Sequence, residues 1–174
     1  GLEDAIVVTG FGWSQVEAHL DELRRTELAP LDVRTVHNPF FDRSNNLISL
    51  WAARHVMAPG FILINGDDVF DWRILERLAG RVDYDIHVCI DRKADYDVDD
   101  MKVTLAGDRV RQINKAIDPA RADGESIGIL RFSRGGATRL LTELEEMVRS
   151  DTAVDDWYLR AVERIALSGY GVGT

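Results

Sequence analysis

The chain has 174 residues, 45% of them hydrophobic and 29% charged, with 21 Lys and Arg against 30 Asp and Glu, a formal net charge of -9 and a pI near 4.9. That length suits one domain with a core of its own, and the composition is that of a globular protein. The acidic balance speaks against a broad basic face for duplex nucleic acid but leaves room for local Lys and Arg to hold a small phosphate ligand. No apolar run approaches the roughly 20 residues of a membrane helix. Cys89, in the apolar stretch Ile86–Ile90, is the single cysteine, which excludes an internal disulfide or thiolate cluster and fits a reducing cytoplasm. The N-terminus carries no basic region followed by an apolar core, so no secretion signal is expected.

In chain order, Ala5–Val8 reads as a β-branched strand, followed by a turn at Thr9-Gly10-Phe11-Gly12 and a helix. Ser14 and Glu17 have capping-box spacing, and Val16, Leu20 and Leu23 mark one helix face. The Gly10-Phe11-Gly12 run is no dinucleotide fingerprint, because the third glycine position holds Gln15. Pro30 is expected to close this helix, and Val33–Val36 forms the next strand, ending at His37-Asn38-Pro39, with His37 a satisfied strand-end residue. Asn45 and Asn46 precede Leu47, Leu50 and Trp51 at helical spacing; one asparagine suffices as the cap, and the other amide is a candidate ligand contact at a helix N-terminus.

Phe61–Phe70, FILINGDDVF, is an apolar run that stops abruptly at Asn65, Gly66 and two carboxylates. Such a run reads as a central parallel strand, and ligands of open α/β sheets gather beyond the carboxyl ends of these strands, which singles out Asp67 and then Asp68. A plain turn accounts for Asn, Gly and Asp equally simply. Ile74, Leu75 and Leu78 then mark a short helix, and Ile86–Ile90 a further strand. The acidic stretch Asp91–Asp100 fails as a calcium loop, since, counted from Asp95, the sixth position is Asp100 and the twelfth Ala106; a solvated acidic loop is the expectation.

Residues 101 to 113 read as a hairpin around Ala106-Gly107-Asp108, with Lys102 embedded between Met101 and Val103 on the first arm and Lys115 following the second. Ser126–Phe132 is the last strand expected. Gly135 and Gly136 then form a turn rather than a phosphate cradle, before a helix from about Ala137 to Arg149 with Leu140, Leu141, Leu144, Met147 and Val148 on one face. Asp155 and Asp156 are expected to cap a final helix bearing Tyr158, Ala161, Val162 and Ile165. The glycines at 169, 171 and 173 follow no strand and so imply no phosphate loop.

In order, Val7-Val8-Thr9-Gly10-Phe11, Asn38-Pro39 with Ser44-Asn45-Asn46 and Ser49-Leu50, Asn65-Gly66-Asp67, Met101-Lys102-Val103, Asn114-Lys115 and Gly124-Glu125-Ser126-Ile127-Gly128 resemble the nucleotidyltransferases of the sugar-phosphate type. Within that family the resemblance is to the branch that activates phosphocholine or inositol phosphate with CTP, and it spans nearly the whole chain. It implies a Rossmann-like three-layer α/β/α sandwich with a mostly parallel central sheet and an added β-hairpin. It also implies transfer of a nucleotidyl group, CMP favoured, from a nucleoside triphosphate to a small phosphorylated acceptor, with Mg2+ as cofactor. Carried over residue by residue, Asp67 resembles the family's metal aspartate, Lys115 its substrate-phosphate lysine and Lys102 a further charged contact. Glu125 and Gly128 would line the acceptor pocket, with Asn45 and Asn46 near the substrates.

These residue types suit the chemistry: a hard cation needs one or two carboxylates when phosphates supply its other oxygens, and fixed lysines stabilise charge on phosphate oxygens without a covalent intermediate. The family's Gly-rich signature loop and second metal aspartate have no counterpart in these residues, so the resemblance describes one domain over residues 1–174 that is incomplete at both ends. A noncatalytic binding or assembly module with the same fold, and a glycosyltransferase using a sugar nucleotide, are the alternative expectations.

Overall fold

The computed structural model describes residues 4–26 and 31–174. They divide into two units, one running up to Val56 together with Glu145–Tyr158, the other made of Met57–Leu144 with Leu159–Thr174. Pro30, expected to close the first helix, lies outside the described residues.

In the first unit, β1 (Asp4–Thr9) and β2 (Asp32–His37) pair in parallel, from Asp4 opposite Asp32 to Thr9 opposite His37. A parallel pair needs a crossover between its strands, and α1 (Trp13–Thr26) belongs to that connection. Because α1 already begins at Trp13, Ser14 sits inside its first turn and the expected capping box does not form. Glu17 instead accepts a hydrogen bond from the Thr35 hydroxyl at 3.0 Å, tying the helix to β2. Of the expected face Val16, Leu20 and Leu23, only Leu20 is buried. His37 ends β2 with its Nδ1 3.3 Å from the Thr9 hydroxyl.

Beyond β2 the buried Asn38 organises the next segment. Its Nδ2 donates to Ser44 Oγ at 3.2 Å and Ser49 Oγ at 3.0 Å, while its Oδ1 accepts from the Phe40 N–H at 2.9 Å, so the buried amide is satisfied at both ends. The chain is thereby delivered to α2 (Asn46–Ala52), where Leu47, Ile48 and Leu50 are buried.

The second unit holds a six-stranded sheet in the order β3 (Phe61–Ile64), β7 (Gly124–Phe132), β4 (Ile86–Asp91), β8 (Val172–Gly173), β6 (Arg109–Asn114), β5 (Lys102–Ala106). Only β4 and β8 are parallel; every other pairing is antiparallel. The sheet is therefore mixed, which corrects the expectation of a mostly parallel one. FILI, read as a central parallel strand, is a four-residue edge strand antiparallel to β7. The physical reason is the hairpin: β5 and β6 turn back at Gly107 without a crossover helix, and β7 follows antiparallel to its neighbours.

The two-residue β8 was not expected at all. It is too short to show a period, and it is held by flanking β4 and β6 rather than by its own sequence. The core of this unit comprises Ile86, Val88, Val103, Ile129, Leu130 and Phe132 from the sheet and Leu140, Leu144, Val162 and Ile165 from α4 (Arg134–Met147) and α5 (Tyr158–Leu167). Gly135 and Gly136 lie in the first turn of α4, where a Cβ on Gly136 would come within 2.3 Å of the Asp85 carbonyl oxygen, so close packing explains that glycine. No described helix is long and apolar enough to cross a membrane.

One buried histidine couples this fold to pH. His87 in β4 exposes 1% of its surface, places Nε2 2.9 Å from Asp83 Oδ1 and packs edge-on to Tyr84. Burial pushes its pKa below the ordinary 6.5, and the bond to Asp83 opposes that only in part. Below pH 6.5 the unfolded chain therefore binds a proton that the folded chain resists. The contribution is complete above that pH and is lost as pH falls towards the folded value. Urea unfolding at about pH 7.5 and about pH 5.5 should show a larger loss for the wild type than for His87→Gln, which does not titrate. Equal losses would remove the histidine from the account.

Candidate functional site

The end of β3 sets the geometry. The Asn65 N–H donates to the Gly128 carbonyl at 3.0 Å, and the Asp68 N–H to the Asn65 carbonyl at 3.3 Å, closing a turn at residues 65–68. The turn leaves Asp67 exposed and Asp68 half-buried. Asp68 Oδ2 is buried without a hydrogen-bond partner. Its carboxyl is held above the ordinary carboxylate range, first by burial and then by the neighbouring charge of Asp67.

Gly128 is the counterpart of this turn on β7. Its φ is 78°, in the left-handed region, and a Cβ there would lie 2.3 Å from Asn65 Nδ2 and 2.8 Å from Asp68 Oδ2. The β4–β7 register shifts at the same place, Val88 facing Leu130 and Ile90 facing Ser126, so β7 bulges around Gly128. Beside the turn is a groove of about 380 Å³, lined by the apolar side chains of Val69, Phe70, Ile74, Ile90, Ile127 and Ile129 and by the carboxylates of Asp68 and Asp91.

Three residues before Gly128 on β7, roughly 10 Å along a strand, Glu125 faces Lys102 in one neighbour and Asp91 in the other. Its carboxyl bonds to Lys93 at 2.9 Å, and Lys93 also bonds to Asp100 at 2.8 Å. Burial raises the Glu125 pKa, whereas the Lys93 ammonium lowers that of Asp100, so of the two acids Glu125 holds a proton more readily.

Lys102 is placed otherwise than a phosphate contact requires. It exposes 1% of its surface, and its ammonium donates to the carbonyls of Asp97 at 2.8 Å, Asp100 at 3.2 Å and Val98 at 3.4 Å. Three donors meet three acceptors, so the side chain holds the acidic loop from inside. Lys115 follows Asn114, the register partner of Lys102, and is half-buried with Nζ 3.5 Å from Asp99.

Asp67, Lys102, Lys115, Glu125 and Gly128 thus belong to one unit, and Asn45 and Asn46 to the other. Asn45 is the N-cap of α2, accepting from the Asn46 N–H at 2.9 Å, and Asn46 Oδ1 accepts from the Tyr158 N–H at 3.0 Å. The second amide is thus used as an acceptor as well. Reading the sequence left Asp91 in a solvated acidic loop and passed over Lys93 and the isoleucine groove. The signal for Asp91 was available, since it ends an apolar strand just as Asp67 follows one.

Asp67 fits a magnesium site shared with phosphates: its carboxylate is exposed and next to a second one, and such a cation takes few protein oxygens when phosphates supply the rest. Among the described residues no group of three or more His, Cys, Asp or Glu could hold a metal on side chains alone.

No family model matches the sequence, and no curated protein matches it. Solved structures do resemble it. The inositol-1-phosphate CTP transferase from T. maritima matches with a TM-score of 0.76 at 18% identity, over 99% of this chain and 66% of that one. The CTP:phosphocholine cytidylyltransferase from Streptococcus pneumoniae matches with a TM-score of 0.64 at 15% identity, over 99% of this chain and 68% of that one. An apo UDP-glucose pyrophosphorylase matches with a TM-score of 0.67 at 12% identity, over 98% of this chain and 71% of that one. The chain spans just under two thirds of the first of these, and at such identities the likeness speaks for the fold alone. With its six-stranded mixed sheet and its βαβ unit, the chain has the Rossmann-like α/β fold of the sugar-phosphate nucleotidyltransferases.

Proposed function

We propose that residues 1–174 belong to a nucleotidyltransferase that in its complete form transfers a nucleotidyl group, CMP favoured, from a nucleoside triphosphate to a small phosphorylated alcohol or sugar and releases pyrophosphate. The observation that carries this reading is the exposed Asp67 at the end of β3, beside a groove, in a fold shared over 99% of the chain with a CTP transferase. Asp67 would hold magnesium, which when bound neutralises charge on the phosphates. Lys115 orients the acceptor phosphate, and Lys102 acts through the acidic loop that it anchors. Gly128 seats Asn65 and Asp68 against β7, and Glu125 borders the acceptor region through its bond to Lys93. Asn45 and Asn46, in the first unit, are the remaining proposed substrate contacts of this reading; their side-chain oxygens accept from backbone N–H groups, and Asn45 Nδ2 also donates to the Asp155 carbonyl at 3.5 Å. A cytoplasmic setting belongs to this reading, in keeping with a single cysteine and so no internal disulfide.

The engagement of Lys102 with three backbone carbonyls is the observation that favours the second reading, a noncatalytic binding module. Pyrophosphate release by the intact protein from CTP and magnesium, with phosphocholine or inositol phosphate as acceptor, separates the two. Release above a blank without acceptor supports transfer; nucleotide binding without release supports the module, and sugar-nucleotide hydrolysis would indicate a glycosyltransferase.

The two lysines should also part company. Lys115→Ala is expected to lower turnover by about 10² to 10³, the loss of one preorganised charge on phosphate oxygens, with little change in unfolding. Lys102→Met should lower stability by about 1–3 kcal/mol, because the carbonyls of Asp97, Val98 and Asp100 lose the charged donor that holds the loop from inside. Unchanged kinetics in Lys115→Ala would return that lysine to the surface charges.

A further inference from the structure

We propose that Lys93 is a positioning residue for the acceptor: its ammonium holds the Glu125 side chain, as a carboxylate, at the border of the acceptor region. This rests on the nucleotidyl-transfer reading and adds to it a residue that touches no substrate and acts through Glu125. Glu125 stands between two strands, directly opposite Asp91 of β4 and Lys102 of β5. Residues directly opposite one another share a sheet face, and Asp91 lines the groove together with Ile90 of β4 and Ile74 of α3 (Arg73–Ala79), so Glu125 lies on the groove's side of the sheet. Strand pairing on both sides already fixes its backbone. A further bond from Lys93 therefore fixes the side chain. The ammonium bonds to Glu125 Oε2 at 2.9 Å and to Asp100 Oδ2 at 2.8 Å and lies 5.8 Å from the centre of the Tyr96 ring, while Asp100 Oδ2 also accepts from the Asp97 N–H at 2.7 Å. Anchored by a loop acid and an aromatic ring, the ammonium has a donor left with which to remove the rotamer freedom of a glutamate.

The charge counts as well as the direction. Burial, and then the Asp100 carboxylate, push the Glu125 carboxyl towards its acid form, and Lys93 opposes both. Of the other charged groups that face Glu125, Asp91 is itself an acid, and Lys102 gives its ammonium to the carbonyls of Asp97, Val98 and Asp100. Without Lys93, Glu125 keeps its proton to higher pH and donates it to Asp100, where a carboxylate would offer the acceptor a charge and accepting oxygens. The connection from β4 to β5 stays in place meanwhile, because Lys102 still holds its carbonyls and Lys115 still lies 3.5 Å from Asp99. What is lost is the hold on Glu125.

The test is the pH dependence of acceptor KM, measured by pyrophosphate release from the intact protein with CTP and magnesium and with phosphocholine and inositol phosphate in turn as acceptor. Lys93→Met should raise acceptor KM by about tenfold near pH 6.5 and by no more than about threefold near pH 8.5, with kcat within about twofold, because the lost interaction is one of binding. Lys93→Arg, which keeps the charge, should restore both values. In a Glu125→Gln background, Lys93→Met should raise KM by less than about twofold further, since a residue that acts through another has nothing left to act on. Urea unfolding of Lys93→Met should keep its midpoint near that of the wild type. An unchanged KM, a rise that is the same at both pH values, or a full further rise in the Glu125→Gln background would each overturn the positioning role and leave nucleotidyl transfer standing. No release by the wild type with either acceptor would overturn the parent reading, and this role with it.

Discussion

Gly128→Ala is expected to lower stability by about 2–5 kcal/mol and to disorganise the turn at residues 65–68. Two costs add at this position. A φ of 78° puts a Cβ against the following carbonyl, at roughly 1–2 kcal/mol. The same Cβ would stand 2.3 Å from Asn65 Nδ2, 2.6 Å from Asn65 Cγ and 2.8 Å from Asp68 Oδ2, well inside contact distance, and overpacking of this kind costs about 1–3 kcal/mol more. Since Asn65 also donates its N–H to the Gly128 carbonyl, the side chain has little freedom to withdraw without pulling the end of β3 away from β7. Domains are commonly stable by only about 5–15 kcal/mol, so this single methyl group removes a large share. Urea unfolding measures the loss directly. A change below about 1 kcal/mol would show that the bulge relaxes around alanine and does not hold the turn.

The largest expected effect on activity is that of Asp67→Asn. With the carboxylate replaced by an amide, metal-dependent turnover should fall by at least about 10³-fold, several kcal/mol of charge stabilisation on the phosphates. Stability should change by no more than about 0.5 kcal/mol, because the side chain is exposed. Asp68→Asn is the control: its carboxyl is half-buried against Gly128, so that substitution should act on stability and on acceptor affinity as much as on the metal. Full activity in Asp67→Asn, or a greater loss in Asp68→Asn at equal stability, would move the metal ligand one residue along the turn.

What the sequence by itself determined is local. The strands Ala5–Val8, Val33–Val36, Ile86–Ile90 and Ser126–Phe132 and the hairpin at Gly107 follow from apolar periodicity and turn residues within a few positions of one another, and each recurs in the structure with ends shifted by a few residues at most. The abrupt passage from FILI to Asn65-Gly66-Asp67 likewise marks a strand end with an exposed carboxylate, whatever its neighbours.

Tertiary structure alone decided everything that depends on partners. FILI became an antiparallel strand at the edge of the six-stranded sheet because its partner there is β7, and a strand's own residues do not encode the direction of its neighbour. Val172 and Gly173 became a strand only because β4 and β6 leave a place between them. Lys102 sits between apolar neighbours in the chain whether its ammonium meets a phosphate or three carbonyls; the fold of the 97–100 loop chooses the carbonyls. The family resemblance singles out Gly128 for the acceptor pocket, but the need for a glycine there shows only once β3 brings Asn65 and Asp68 to within a bond length or two of where a side chain would be. The groove itself joins residues from 68 to 129, and its pairing of isoleucine walls with two carboxylates exists only once distant segments meet, because recognition surfaces are set by long-range contacts that no local period records.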